Sequence, residues 1–312
     1  MGKYAISSEF ARYSWFKPPI SKAMLPVIHA VTEMAPEPNF DKRGVDLRKL
    51  YIYASDAAVP AYLYDYAGSS NKSPCLVYFH GGGFAMGPAN YQYRMALEYA
   101  VRTPCKLLFV NYRLAPEYKY PIPLFDCFGA YSWVRENAGW LGIDADRIAV
   151  GGDSAGGNLA AGVCLCALER GIQPPCFQML VYPVIDRRMR TRSMLLYDDT
   201  PMWNAKLSKR MWSWYLDGGE PDARFASPLE AESLAGMPDA YIETAEFDCL
   251  RDEGRDYAAA LMTAGCVVEL NETKGTMHGY DISLNSKTVR TNVFRRVESL
   301  RRGFNAPSDA VI

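Results

Sequence analysis

The chain has 312 residues, of which 34 are basic and 35 acidic, so its formal net charge at neutral pH is -1. Such a balance excludes the electrostatic attraction that draws basic proteins to nucleic acid or to an anionic membrane. Hydrophobic residues make up 49% of the chain, enough for a sizeable core. No apolar run reaches the roughly 18 residues that span a bilayer. We therefore expect no nucleic-acid partner and no stable membrane insertion.

Residues 1–45 have mixed polarity, with aromatic and charged residues interspersed. Glu9, Arg12 and Lys17 interrupt the apolar run that a secretion signal needs, so the cytoplasm is the expected location. Eight cysteines occur along the chain, most of them within apolar strand or helix patterns. Without a secretion signal we expect buried free thiols. The cysteine spacing and the three histidines do not favour a metal site, and no cofactor is expected.

Eight segments have the apolar pattern of strands. They lie near residues 46–53, 60–66, 75–79, 106–112, 147–151, 177–182, 240–245 and 267–270. From the third strand onward they alternate with helical patterns near 91–102, 123–137, 155–169, 251–264 and 287–302. This alternation predicts an α/β fold with a mostly parallel eight-stranded sheet flanked by helices. The first two strands have no helix between them and are expected to pair antiparallel at one edge.

The last predicted helix is amphipathic. Its apolar stripe consists of Val289, Val293, Val297 and Leu300. Five arginines fall outside the stripe and are expected to form a solvated face: Arg290, Arg295, Arg296, Arg301 and Arg302.

A glycine-rich loop follows the third predicted strand. Residues 80–83 are His-Gly-Gly-Gly, and glycines leave backbone N–H groups unobstructed. Gly82 and Gly83 are therefore candidate donors to the oxygen that gains negative charge during acyl transfer. The alternative is a phosphate-binding loop. It is disfavoured because Pro88 follows closely, no helix starts on the loop, and the chain contains no Gly-x-x-x-x-Gly-Lys-Ser/Thr motif.

Ser154 lies where the fifth predicted strand meets the next helix, within residues 151–157, Gly-Gly-Asp-Ser-Ala-Gly-Gly. This matches the G-x-S-x-G nucleophile elbow, in which Gly152 and Gly156 permit a turn too tight for side chains. Such a turn holds the serine hydroxyl at the start of the helix, and the N–H of Ala155 becomes a third candidate donor. The alternative interpretation is a flexible loop of glycine and serine.

Only three histidines are candidates for the base that activates this serine. His29 lies in the N-terminal segment, and His80 belongs to the glycine loop, which its ring is expected to anchor by hydrogen bonds. His278, in a loop after the eighth predicted strand, remains. In hydrolases with a nucleophile elbow the acid lies between the serine and the histidine in sequence. Glu246 and Asp248 both follow the seventh predicted strand. The shorter Asp248 is favoured, but the spacing alone does not exclude Glu246.

The chain resembles the hormone-sensitive-lipase group of α/β-hydrolases, the bacterial family IV carboxylesterases. The resemblance rests on six blocks in the family's order, at residues 80–83, 112–117, 152–158, 227–229, 250–254 and 278–279. It implies a triad of Ser154, Asp248 and His278 and an oxyanion hole formed by the backbone N–H groups of Gly82, Gly83 and Ala155. The resemblance thereby selects Asp248 over Glu246. One departure is Cys249, where these enzymes usually carry proline, and we expect it to loosen the acid's loop slightly.

Two segments fall outside the alternation of strands and helices. We expect residues 1–45 and 186–226 to form a helical cap over the serine, and residues 46–185 and 227–312 to form the two parts of the hydrolase core. The apolar residues of the cap either line a substrate pocket or pack the cap onto the core. Those concerned are Phe10, Tyr13, Trp15, Phe16, Tyr197, Met202, Trp203, Met211, Trp212, Trp214 and Tyr215.

Together these features predict a serine carboxylesterase. Ser154 would attack a small-molecule ester, His278 would carry the proton, and water would release the acyl group. The short cap and the resemblance favour short acyl chains. An amidase or deacetylase with the same triad is the alternative. A ligand receptor on the same fold is less favoured because the triad is complete. The sequence leaves a homodimer open.

Overall fold

Eight strands pair into one sheet in the computed structural model, which describes residues 3–33, 43–54, 56–66, 72–216 and 223–305. The strands are β1 Val45–Tyr53, β2 Ala58–Tyr66, β3 Ser73–Phe79, β4 Lys106–Val110, β5 Ile143–Asp153, β6 Gln178–Val181, β7 Ala240–Phe247 and β8 Val268–Met277. Their order across the sheet is β1-β2-β4-β3-β5-β6-β7-β8. Strand β2 pairs antiparallel with β1 and β4, and the remaining pairs are parallel. The predicted sheet and its antiparallel edge are confirmed.

Helices cover both faces of the sheet. They are α1 Leu25–Glu33, α2 Asn90–Arg102, α3 Ile122–Glu136, α4 Ala138–Leu141, α5 Ala155–Glu169, α6 Arg192–Leu196, α7 Ala205–Tyr215, α8 Arg251–Thr263 and α9 Lys287–Asn305. The five predicted helices correspond to α2, α3, α5, α8 and α9. Two buried apolar clusters lie on the two faces of the sheet, and the alternating residues of β3 contribute to both. Val77 and Phe79 belong to one cluster, and Leu76 and Tyr78 belong to the other. In the described ranges no helix is both long and apolar enough to cross a bilayer.

Strand β8 is longer than predicted and continues to Met277. The prediction ended near residue 270 because polar residues, Asn-Glu-Thr-Lys, follow at positions 271–274. The strand lies at the edge of the sheet, where polar side chains remain compatible with pairing on one side. Gly275 adopts a φ of 66°, which a glycine accepts without strain. As a result His278 lies immediately beyond the end of the strand.

The predicted solvated face of α9 is wrong for Arg296. Its side chain is fully buried, whereas the other four arginines of that face are exposed. The guanidinium pairs with Glu243 of β7 and with Asp281, whose Oδ2 lies 3.0 Å from Nη1. The periodicity of α9 could not indicate this burial because both carboxylates come from other parts of the chain.

Replacing Arg296 by alanine is expected to lower the free energy of unfolding by about 3 to 5 kcal/mol, because two buried carboxylates lose their counter-charge. Urea denaturation followed by circular dichroism measures the loss. The control is Arg301→Ala on the same helix, whose side chain is 49% exposed and pairs with Glu298. That pair is expected to contribute less than about 1 kcal/mol. Equal losses in the two variants would contradict the argument.

The two segments outside the strand and helix alternation contact each other. Met202 donates its backbone N–H to the carbonyl of Phe16 at 2.8 Å. The carboxylate of Asp199 accepts hydrogen bonds from Lys3 Nζ at 2.7 Å and from the Tyr4 hydroxyl at 2.5 Å. Helix α1 belongs to the first segment and helices α6 and α7 to the second. Parts of both predicted segments, at residues 1–2, 34–42 and 217–222, lie outside the described residues.

Candidate active site

Ser154 lies at the turn between β5 and α5, with φ 57° and ψ -119°. A residue other than glycine is strained there, and this strain is typical of a nucleophile elbow. Its N–H donates to the carbonyl of Val181 at 2.9 Å, and its own carbonyl accepts from Val184 N at 3.1 Å. A Cβ atom at Gly156 would lie 2.0 Å from the carbonyl oxygen of Phe79, so the close approach of α5 to β3 requires glycine. The turn therefore holds the serine hydroxyl at the start of the helix.

Hydrogen bonds join the three residues that were predicted to act together. His278 Nε2 lies 2.9 Å from Ser154 Oγ, and His278 Nδ1 lies 2.7 Å from Asp248 Oδ2. Asp248 is fully buried, and its Oδ1 accepts the N–H of Leu250 at 3.0 Å. A carboxylate only accepts hydrogen bonds, so Nδ1 carries the imidazole proton. This leaves Nε2 as the acceptor for the serine proton.

Glu246, the competing acid, is turned away from the histidine. Its Oε2 accepts the backbone N–H of Gly275 at 2.7 Å, which links β7 to β8. The loop after Asp248 is held in place despite Cys249, because the Cys249 carbonyl accepts a 2.8 Å hydrogen bond from Ser193 Oγ. The thiol itself is fully buried, and burial raises the pKa of Cys249 well above its ordinary value. The cysteine is therefore an inert part of the packing rather than a nucleophile.

The glycine loop presents its backbone to the cavity beside the elbow. Gly82 and Gly83 adopt φ values of 132° and 60°, and both line the cavity that contains Ser154. Among the described residues, no protein acceptor binds their N–H groups or that of Ala155. Asp153 Oδ1 accepts the N–H of Gly81 at 3.0 Å, which attaches the loop to the elbow. The arrangement can donate to an oxygen held beside the serine hydroxyl.

Asp153 is a buried residue of the site that the sequence did not single out. Besides Gly81 it accepts hydrogen bonds from the Tyr78 hydroxyl and from Gln92 Nε2, both at 2.8 Å. Burial raises the pKa of this carboxyl, and the three hydrogen bonds oppose that rise. Its partners lie on β3, on α2 and in the glycine loop, so no pattern within the elbow could have indicated its role. We assign it to positioning the loop relative to Ser154.

His80 anchors the glycine loop, as the sequence predicts. Its Nδ1 donates to the carbonyl of Gly81 at 2.8 Å, and its ring stacks on Tyr112 with centroids 4.4 Å apart. Burial lowers the pKa of His80 to about 4. His29 contacts the same region, with its Nε2 2.6 Å from the carbonyl oxygen of Ala85. Neither of these histidines is hydrogen-bonded to Ser154.

Because of His80, the protein is expected to lose stability as the pH falls from about 6.5 to about 4. The unfolded chain takes up the proton near pH 6.5, whereas the folded protein resists it until about pH 4. The stabilisation is therefore complete above this window and lost within it. Between pH 7 and pH 5, the stability advantage of the wild type over His80→Gln is expected to shrink by about 2 kcal/mol. Urea denaturation at both pH values checks this, and an unchanged difference would contradict it.

A cavity of about 230 Å³ contains Ser154 and His278 in its wall. The two segments outside the strand and helix alternation contribute Phe16, Pro18, Ile20, Met202 and Trp203 to its lining. Other aromatic residues of these segments do not reach it: Trp212 and Tyr215 are buried in the core, and Trp15 is 73% exposed. The aromatic residues are thus divided between lining the cavity and packing elsewhere.

The chain is similar to known esterases in sequence and in structure. A family model described as the α/β hydrolase fold matches residues 76–282. The carboxylesterase NlhH of Mycobacterium tuberculosis is 33% identical over 292 residues, covering 92% of this chain and 90% of that protein. A bacterial heroin esterase superposes with a TM-score of 0.89 at 34% identity, covering 97% of this chain and 99% of that one. Esterase LipW from Mycobacterium marinum superposes with a TM-score of 0.87 at 32% identity, covering 96% of each chain.

Proposed function

Because this chain belongs to the hormone-sensitive-lipase-like, bacterial family IV carboxylesterases of the α/β-hydrolase superfamily, we propose that it hydrolyses short-chain carboxylic esters through an acyl-enzyme on Ser154. Membership makes the protein a serine carboxylesterase. The roles of individual residues and the preferred acyl chain are our proposal. The observation that carries it is the continuous hydrogen-bonded path from Ser154 Oγ through His278 to Asp248.

In the first half of the reaction, Ser154 Oγ bonds to the ester carbonyl carbon while His278 Nε2 takes the hydroxyl proton. Asp248 stabilises the imidazolium that forms. The negative charge on the former carbonyl oxygen is held by the N–H groups of the glycine loop and of Ala155. The tetrahedral intermediate then breaks its bond to the alcohol oxygen, which receives the proton from Nε2. The acyl group stays on the serine.

The second half repeats these steps with water. His278 removes a proton from a water molecule, whose oxygen bonds to the acyl carbon. The same backbone donors hold the second oxyanion. The intermediate then breaks its bond to Ser154 Oγ, which regains the proton from Nε2, and the carboxylic acid leaves. His278, Ser154 and water account for every proton transfer and every bond exchange in the two half-reactions.

We assign residues 1–45 and 186–226 to a cap over a core formed by residues 46–185 and 227–312. The assignment is supported by the cavity lining, to which Phe16 and Ile20 of the first segment and Trp203 of the second contribute. Apolar side chains over the serine keep water away from the polar groups, and this strengthens the electrostatic contacts around the oxyanion.

The size and lining of the cavity support a small, uncharged acyl group. Its volume of about 230 Å³ is below the roughly 300 to 1,000 Å³ of sites that hold drug-sized ligands. Met86 and Met202 contribute flexible apolar surface, and within the described residues no lysine or arginine lines the cavity. An acetyl or butyryl ester matches these walls better than a long-chain fat.

p-Nitrophenyl acetate and butyrate are expected to have kcat/KM values more than about tenfold above that of the palmitate ester, because the long chain exceeds the cavity and its extra methylenes remain in water. Release of p-nitrophenol, measured at substrate concentrations below micelle formation, gives the three values. Fastest turnover of palmitate would reject the short-chain proposal and leave the esterase assignment intact.

An amidase or deacetylase would use the same triad but must protonate an amine as it leaves. Comparing p-nitrophenyl acetate with p-nitroacetanilide keeps the acyl group constant and changes only the leaving atom. We expect hydrolysis of the ester and little of the anilide. Preferential hydrolysis of the anilide would replace the proposal by the alternative.

We also propose that the protein acts in the cytoplasm. This is supported by its eight cysteines, which are free thiols, six of them buried, as in a reducing compartment. Cell fractionation followed by immunoblotting tests the location.

A further inference from the structure

Tyr182 contacts the proposed base but takes no part in the proton transfers described above. It directly follows β6, is fully buried and adopts a φ of 36°. Its ring meets the His278 imidazole at an interplanar angle of 62°, with centroids 4.8 Å apart. This ring contact is additional to the two hydrogen bonds that the imidazole makes with Ser154 and Asp248.

The hydroxyl of Tyr182 is held by a buried charge network. It donates a 2.9 Å hydrogen bond to Oδ2 of Asp281, which lies three residues beyond His278. Asp281 pairs with Arg296 of α9, and Arg296 pairs in turn with Glu243 of β7. Burial raises the pKa of Asp281, and the Arg296 charge opposes that rise. Because solvent screens buried charges poorly, this network holds the tyrosine hydroxyl firmly.

The backbone on either side of Tyr182 holds the nucleophile. Val181 accepts the N–H of Ser154 at 2.9 Å, and Val184 donates to the Ser154 carbonyl at 3.1 Å. One short segment therefore positions the serine through its backbone and contacts the histidine through a side chain. A displacement of Tyr182 would change the relative placement of the two reacting groups.

We propose that Tyr182 is a positioning residue, whose ring orients the His278 imidazole toward Ser154 and whose hydrogen bond to Asp281 keeps that ring in place. The inference rests on the proposed role of His278 as the base. Tyr182 also lines the cavity, so direct contact with substrate is the competing explanation. The two explanations differ in which kinetic constant they change. Poor orientation of the base lowers kcat, whereas loss of a substrate contact raises KM.

The test is Tyr182→Phe, which keeps the ring and removes the hydroxyl. We expect kcat for p-nitrophenyl acetate to fall about ten- to a hundredfold while KM changes by less than about twofold, because the base is displaced but the cavity is preserved. The NMR resonance of the His278 Nδ1 proton is expected to shift or broaden. A purely structural role for Tyr182 would leave that resonance unchanged.

Tyr241→Phe is the matched control. Tyr241 is also fully buried, and its hydroxyl donates to Glu243 Oε2 at 2.6 Å within the same charge network. Its ring has no contact with a histidine in the described part of the chain. We expect this variant to lower Tm while keeping the wild-type kcat and the wild-type His278 resonance.

Wild-type kcat and an unmoved resonance in Tyr182→Phe would overturn the inference. A raised KM with unchanged kcat would also do so, because Tyr182 would then be a substrate contact. If Tyr182→Phe does not fold, Asp281→Asn replaces it. This variant removes one of the two charges that Arg296 pairs with, the one that accepts the Tyr182 hydrogen bond, and it is expected to lower kcat relative to Tyr241→Phe. An inactive wild-type enzyme would instead refute the proposed function.

Discussion

Ser154→Ala is expected to lower kcat for p-nitrophenyl butyrate by about a millionfold, leaving only the rate that the oxyanion donors and binding provide. The substitution removes the oxygen that forms the acyl-enzyme, and the 2.9 Å contact with His278 Nε2 disappears with it. Circular dichroism is expected to show an unchanged fold, because the backbone hydrogen bonds of the elbow do not involve the hydroxyl. Steady-state kinetics and labelling with a fluorophosphonate probe measure the effect.

The control for this variant is Ser299→Ala. Ser299 is a residue of α9 and is also buried. Its hydroxyl donates a hydrogen bond to Glu269 of β8, and the residue does not line the cavity. We expect normal labelling and normal hydrolysis. Fluorophosphonate labelling that persists in Ser154→Ala would show that another residue is the nucleophile, and the proposed mechanism would fail.

Asp248→Asn is expected to lower kcat by about ten-thousandfold. The amide has the shape of the carboxylate but can donate a hydrogen bond to His278 Nδ1, which favours the tautomer whose Nε2 already carries a proton. That tautomer cannot accept the serine proton. The 2.7 Å distance between Nδ1 and Asp248 Oδ2 makes this the contact through which the acid acts. Kinetics with p-nitrophenyl butyrate give the change in kcat.

Glu246→Gln is the matched control because it changes a carboxylate at the end of β7, two residues before Asp248, to an amide. Glu246 accepts a hydrogen bond from the Gly275 N–H, and glutamine retains an accepting oxygen there. We expect its kcat to stay within about tenfold of the wild type, as for a substitution outside the reacting groups. A severe loss in Glu246→Gln together with a mild one in Asp248→Asn would exchange the roles of the two acids.

The choice between these acids shows how far local sequence reasoning reaches. The order of serine, acid and histidine placed the acid after the seventh predicted strand, which ended near residue 245, and both carboxylates follow that residue. The resemblance to family IV esterases then selected Asp248. In the structure the chain leaves the strand at Phe247, so Asp248 turns toward His278 while Glu246 stays within β7 and bonds to β8. Both side chains are carboxylates, so their chemistry does not separate them. The course of the backbone decides which one reaches His278.

Helix α9 shows where such reasoning fails. The period of its apolar residues correctly predicted a helix with one face against the sheet, and the core contains Val289, Val293 and Val297. The same pattern placed Arg296 on a solvated face, although the residue is buried. A single arginine is buried when carboxylates from elsewhere compensate its charge, and the sequence of a helix contains no information about such partners.

By itself the sequence determined the alternation of strands and helices, the glycine loop, the serine elbow and the short set of histidines. These features are local, since side-chain periodicity, glycine conformations and the order of motifs act over a few residues. Only the tertiary structure decided that Asp153 holds the glycine loop, that Trp203 lines the cavity while Trp212 packs inside, and that Tyr182 contacts His278. Each of these depends on groups distant in the chain, which meet only when the sheet orders its strands.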